Sequence, residues 1–180
     1  MNNIIERVLL SEEEIQNACK KMGNDITNDY QDTDLVAIGL LKGCIPFLSD
    51  LVKHIELPIE IQYMIVSSYR GSTTSSELQI KYDLEIPIKD RDVIIIEDIV
   101  DSGQTIETVI DILYQRGART VEVVTLLNKT ENNFLSPKYV GFNIPNEFVV
   151  GYGLDFKERY RNLPYIGILK KEHYDKWGDD

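Results

Sequence analysis

The nine residues Glu97-Asp98-Ile99-Val100-Asp101-Ser102-Gly103-Gln104-Thr105 combine three acids, two hydroxyls and a glycine. The β-branched run 93–96 just before them reads as a strand buried on both faces. Glu97 and Asp98 are adjacent acids at that strand's end, and Asp101 follows. Ser102, Gly103, Gln104 and Thr105 then open a helix. The first amides of a helix lack intrahelical partners, and its dipole is positive at that end. Gly103 lets a ligand come close to the backbone, and Ser102 and Thr105 add hydroxyl donors. The result is a cradle for a phosphate monoester. The acids cannot bind phosphate directly, but they can hold sugar hydroxyls or magnesium. The segment therefore suits a ligand that joins phosphate, ribose and metal. An acidic loop with an Asp or Ser helix cap is the simpler reading. The convergence of these features after a buried strand favours the cradle. No G-x-x-x-x-G-K-[ST] segment occurs, so this is not a Walker loop.

Other strand ends carry weaker signals. Lys42-Gly43 follows the apolar run 35–41, and a cation beside a glycine could hold a second phosphate group. Surface Lys-Gly turns are common, however. Asn128-Lys129 follows the run 121–127, and Lys129 read alone is a solvated surface lysine. The segment FVVGYGLDFKERYR joins Phe148 and Val149 to Asp155 and Arg161, and read alone is a core strand with a charged turn.

These residues need elements to hold them. Ser11 and Glu14 have capping-box spacing, and Ile15, Ala18, Cys19, Met22 and Ile26 share one helical face. Phe47, Leu48, Leu51, Val52 and Ile55 repeat that spacing, as do Ile106, Val109, Ile110 and Leu113, with Gly117 placed to end the last helix. Strands are expected at 35–41, 59–67, 93–96 and 121–127, with shorter ones at 139–142, 148–151 and 165–169. Residues 68–78, small and polar, have the composition of a mobile loop. Buried strands alternating with helices imply an α/β fold: a mainly parallel twisted sheet flanked by helices. Such sheets bind ligands beyond the carboxyl ends of their strands.

The chain has 180 residues, enough for a single domain spanning 1–180, and 43% of them are hydrophobic. No apolar run approaches the roughly 20 residues of a membrane span, and the first residues do not read as a secretory signal. Cys19 and Cys44 are expected as free thiols in a reducing, cytoplasmic setting. His54 and His173 give no zinc spacing. A net charge of −11 argues against nucleic acid as a partner. It is compatible with a small phosphate ligand held by backbone amides, a few cations and a metal.

VIIIEDIVDSGQT resembles the phosphoribosyl-pyrophosphate (PRPP) signature of the type I phosphoribosyltransferases. GLLKGCIPFLSDL, SSYRGST, VVTLLNK and FVVGYGLDFKERYRNLPYIG resemble, in order, further segments of the family's hypoxanthine branch, closest to the bacterial members. The resemblance runs from about residue 4 to 174. It implies the type I fold with a small hood subdomain built from the chain ends. It also implies transfer of phosphoribose from PRPP to a 6-oxopurine, hypoxanthine and guanine foremost, with Mg2+ as cofactor and a homodimer or homotetramer as the assembly.

By position, Glu97 and Asp98 match the pair that meets the ribose hydroxyls and magnesium, and Asp101 the acid–base residue at purine N7. Ser102, Gly103, Gln104 and Thr105 match the 5′-phosphate loop. Leu41, Lys42 and Gly43 match the pyrophosphate loop, where the family often has a non-proline cis peptide. Lys129 matches the reader of the 6-oxo group, Phe148 the aromatic that stacks on the base, and Val149 a backbone contact to its edge. Asp155 matches a second magnesium ligand beside the purine, and Arg161 a pyrophosphate contact. Ser68 and Tyr69 match the loop that closes over the site. Departures are mild. Gln104 sits where the family varies, Arg70 adds a charge to the mobile loop, and Asn146 replaces an acid beside the base pocket. Two rivals fit the same signature: a nucleic-acid-binding regulator of this fold, and a xanthine-preferring relative.

Overall fold

The computed structural model describes residues 4–69, 77–130 and 134–174. Strand β1 (Ile5–Leu10) leads into helix α1 (Glu12–Asp29). The expected capping box starts α1: the Glu14 amide donates to Ser11 Oγ (3.3 Å), and the Ser11 amide donates to Glu14 Oε2 (2.8 Å). Strand β2 (Leu35–Leu40) is followed by α2 (Ile45–Leu51) and a single 3-10 turn, Val52–His54. That turn cuts short the helical face expected through Ile55. Next come β3 (Glu60–Tyr69), β4 (Glu77–Tyr82), β5 (Asp92–Val100), α3 (Gln104–Gln115), β6 (Thr120–Lys129), β7 (Tyr139–Ile144), β8 (Val149–Val150) and β9 (Ile166–Leu169).

Six strands form one sheet in the order β4-β3-β2-β5-β6-β7. All of its pairs are parallel except β3 with β4. Alternate residues of the central strands feed opposite sides. Ala37, Ile94 and Ile96 pack with Ile15, Cys19 and Ile26 of α1 and Phe47 and Leu51 of α2. Val36, Ile38, Val93 and Ile95 pack with Ile106, Val109 and Leu113 of α3. Both faces are therefore apolar, which explains the unbroken hydrophobic runs in the sequence. Each fully buried Ile or Leu contributes about 1.5–3 kcal/mol. Cys19 and Cys44 are buried and free.

The two chain ends meet in a smaller antiparallel sheet, β1-β9-β8, the expected hood. Its Leu10, Val149, Ile166 and Ile168 belong to the same buried cluster as Ile94 and Ile96. Two strands outrun their apolar cores: β5 continues through Glu97 and Asp98, and β6 through Asn128 and Lys129. Those residues are ladder positions, not the start of loops, because Glu97 pairs with Thr125 and Val100 with Asn128. Gly117 ends α3 at φ +87°, where its amide donates to Tyr114 O and that of Ala118 to Leu113 O. Residues 70–76 of the expected mobile loop, with the side chains of Ser68 and Tyr69, lie outside the described residues.

Candidate active site

A cavity of about 350 Å³ opens beyond the carboxyl ends of β2 and β5. Leu41, Lys42 and Gly43 line one side; Glu97, Asp98, Asp101, Ser102, Gly103 and Thr105 line another, and Arg161 closes it from the hood segment. The acidic segment and the Lys-Gly turn, far apart in sequence, thus share one cavity. Gln104 is exposed and does not line it.

The helix expected to open at Ser102 starts two residues later. Gly103 caps α3 in the left-handed region at φ +81°, which side chains disfavour, and Gln104 begins the helix. Ser102 therefore stands before the helix, where its Oγ accepts from the Gln104 amide at 3.5 Å.

Asp98 is buried and packs against the pyrophosphate-loop candidate. A Cβ on Gly43 would stand 1.8 Å from Asp98 Oδ2, so glycine is required there. The Leu41–Lys42 peptide is cis. Burial, then the adjacent Asp98 charge, pushes the Glu97 carboxyl well above the ordinary carboxylate range. Burial likewise raises Asp98, although hydrogen bonds from Glu97 and the Ile99 amide oppose it. Glu97 Oε2 is buried without a hydrogen-bond partner. An unsatisfied buried oxygen beside a second acid fits a missing hydroxyl donor or cation. Among the described residues, no three His, Cys, Asp or Glu side chains converge as a metal cage. Asp155 does not line the cavity; it binds Arg161 Nη2 at 2.8 Å and accepts from the Glu158 amide at 2.8 Å.

Lys129 is not the solvated lysine of its isolated reading. Its side chain is 14% exposed, and Nζ lies 3.3 Å from Asp101 Oδ2 and 3.2 Å from Asn146 Oδ1. The strand extension of β6 delivers it there. Asn146 faces Lys129 with a neutral oxygen. Phe148 stands 38% exposed, and Val149 is buried in β8 against Ile168.

Four participants were not singled out from the sequence. Tyr174 stacks on Phe148 with ring centroids 5.2 Å apart, while Phe156 meets the Phe148 edge at 5.8 Å. Glu158 reaches both Lys42 and Arg161. Tyr152 anchors the hood segment to Asp50 at 2.6 Å. Only the mixed-charge pattern DFKERYR hinted at Glu158; Tyr174 and Tyr152 had no distinguishing signal.

The chain matches the family model "Phosphoribosyl transferase domain" over residues 9–157. It is 50% identical to the hypoxanthine-guanine phosphoribosyltransferase of Bacillus subtilis over 178 residues, covering 97% of this chain and 99% of that one. The enzyme of the same name from Streptococcus pneumoniae is 50% identical over 177 residues, with 97% and 98% covered. A crystal structure of a hypoxanthine phosphoribosyltransferase from Staphylococcus aureus superposes with a TM-score of 0.92 at 50% identity, covering 97% of this chain and 96% of that one. The chain belongs to the phosphoribosyltransferase family, as a relative of its hypoxanthine-guanine members.

Proposed function

We propose that this chain is a purine salvage enzyme that transfers the 5-phosphoribosyl group from PRPP to N9 of hypoxanthine, and of guanine, releasing pyrophosphate and IMP or GMP. The observation that carries this reading is the 3.3 Å contact between Lys129 and Asp101. It brings Lys129, the candidate base reader, against the acidic segment, which supports a site where base and sugar meet. A regulator that binds nucleic acid has no use for that contact, and the net charge of −11 opposes one.

The residues divide the work. The amides and hydroxyls of Ser102–Thr105 fix the 5′-phosphate and hold the sugar still. Lys42 and Arg161 neutralise the pyrophosphate as its bond to C1′ breaks ahead of attack, leaving an oxocarbenium-like sugar. Glu97 and Asp98 meet the ribose hydroxyls. Asp101 accepts or donates the purine proton at N7. Phe148 stacks on the base, and Val149 meets its edge through the backbone. Mg2+ suits the site, because it binds through one or two carboxylates plus substrate oxygens, and it would neutralise charge on the pyrophosphate. Glu97, Asp98 and Asp155 are its candidate protein ligands. Ser68 and Tyr69 belong to the segment that would exclude water. No described helix is long and apolar enough to cross a membrane; a cytoplasmic enzyme is the reading we adopt. A homodimer or homotetramer is the assembly that the family resemblance implies.

The test is base discrimination. A lysine has three donors and no acceptor. Lys129 can bond a 6-oxo group, whereas adenine would face it with an amino donor. Sites built on such a bond reject a mismatched analogue by as much as about 10⁴–10⁵. Comparing kcat/KM for hypoxanthine and adenine should show strong rejection of adenine, and Lys129→Ala should narrow the gap. Adenine use within about tenfold of hypoxanthine would remove Lys129 from the reader's role.

A further inference from the structure

Lys42 Nζ lies 2.9 Å from Glu158 Oε2, and Arg161 Nη2 lies 3.3 Å from Glu158 Oε1. One carboxylate therefore bridges two cations that line the cavity from different parts of the chain. Its two oxygens take one cation each, as two oxygens of a phosphate group would. Glu158 reaches them from a segment with left-handed backbone at Lys157, Glu158 and Tyr160. It does not line the cavity itself.

We propose that Glu158 is an internal stand-in for pyrophosphate, gathering Lys42 and Arg161 until the diphosphate of substrate or product displaces it. The inference rests on the reading of Lys42 and Arg161 as the pyrophosphate subsite. Three observations favour displacement over a permanent latch. Lys42 and Glu158 are 62% and 67% exposed, so water and ions reach the pair freely. A pair this exposed changes an equilibrium by no more than about fivefold. Pyrophosphate carries more negative charge than a carboxylate, and attraction to the two cations grows with that charge. Finally, Arg161 does not need Glu158 to stay in place. Nη1 donates to Gly153 O at 2.7 Å, and Nη2 pairs with Asp155 at 2.8 Å.

Removing the competitor should therefore strengthen anion binding, a gain that loss of a merely structural contact would not produce. The experiment titrates inorganic pyrophosphate with Mg2+ into the full chain as wild type, Glu158→Gln and Lys42→Ala, by calorimetry. Glu158→Gln should bind pyrophosphate roughly two- to fivefold more tightly. Product inhibition by pyrophosphate should strengthen in proportion. Equal or weaker binding in Glu158→Gln overturns the proposal, because the residue would then be neutral, a latch or a direct ligand. If Lys42→Ala left binding unchanged, the failure would lie in the subsite reading instead.

Discussion

Asp101 is 62% exposed at the cavity wall, with Lys129 Nζ at 3.3 Å. An exposed carboxylate contributes little to folding, so its replacement tests chemistry almost alone. Asp101→Asn keeps the shape and removes the proposed proton carrier. Acid–base catalysis contributes on the order of 10²–10⁴ in rate. The variant should lose kcat on that scale while PRPP affinity changes far less. A kcat within about threefold of wild type would leave Asp101 as a partner of Lys129 and not the proton carrier. At this scale the sequence was most legible where several rare requirements fell together, as in residues 97–105. Lys129 was opaque taken singly, because its burial depends on β6 continuing past its apolar run. Glu158 and Tyr174 were opaque because their partners, Lys42 and Phe148, lie far from them in sequence.

Elements were legible from periodicity, but their ends were not. Apolar runs marked where β2, β5 and β6 cross the core, and the polar residues that extend them are held by pairing. At the opposite end of the sheet, Asp92 performs a structural task. It is buried at the start of β5, where Oδ1 accepts from Arg119 Nε at 2.9 Å and from Thr120 Oγ1 at 2.8 Å, and Oδ2 accepts from Arg119 Nη2. These bonds lock β5 to β6 in register. The Arg119 hydrogen bonds hold the Asp92 carboxyl below its ordinary range, despite burial. A depressed carboxyl contributes stability above the unfolded-state value of about 3.9, and that stability is lost as pH falls through the lower folded value. Asp92→Asn should cost about 1.5–3 kcal/mol in urea unfolding at pH 7. Its gap to wild type should narrow below about pH 3.9, since only the wild type has the bond to lose. A gap that stayed constant with pH would show that Asp92 acts through shape and not charge.

For the molecule as a whole, the question is how the hood keeps register with the sheet that carries the cradle. The α/β class, the parallel sheet and a hood made from both ends could be anticipated; the joint between them could not, because it joins residues about a hundred positions apart. Tyr152 makes that joint. It is 6% exposed, and its hydroxyl donates to Asp50 Oδ2 of α2 at 2.6 Å. Asp50 also accepts from Gln16 of α1 at 2.6 Å and Lys53 at 2.9 Å, so one carboxylate gathers two helices and the hood. One residue on, Gly153 packs so closely on the Leu41–Gly43 turn that a Cβ would stand 2.0 Å from Gly43 O, and its own carbonyl accepts from Arg161. Releasing the tyrosine hydroxyl should therefore loosen the wall that carries Arg161 more than the wall that carries Lys129. Tyr152→Phe removes one hydrogen bond to a charged group, worth about 1.5–3 kcal/mol, and Asp50 retains two other donors, which places the loss near the lower end. At about 2–4 °C per kcal/mol for a chain of this size, the melting temperature should fall by about 3–6 °C. The kinetic signature separates a joint from a mere stabiliser. KM for PRPP should rise severalfold while KM for hypoxanthine moves little, because small misplacements of positioning groups are costly. If melting falls but both KM values hold, the Asp50–Tyr152 bond braces the fold without aligning the site. If both KM values rise together, the hood moves as one body, and the proposed purine contacts Phe148 and Val149 depend on the same joint as Arg161.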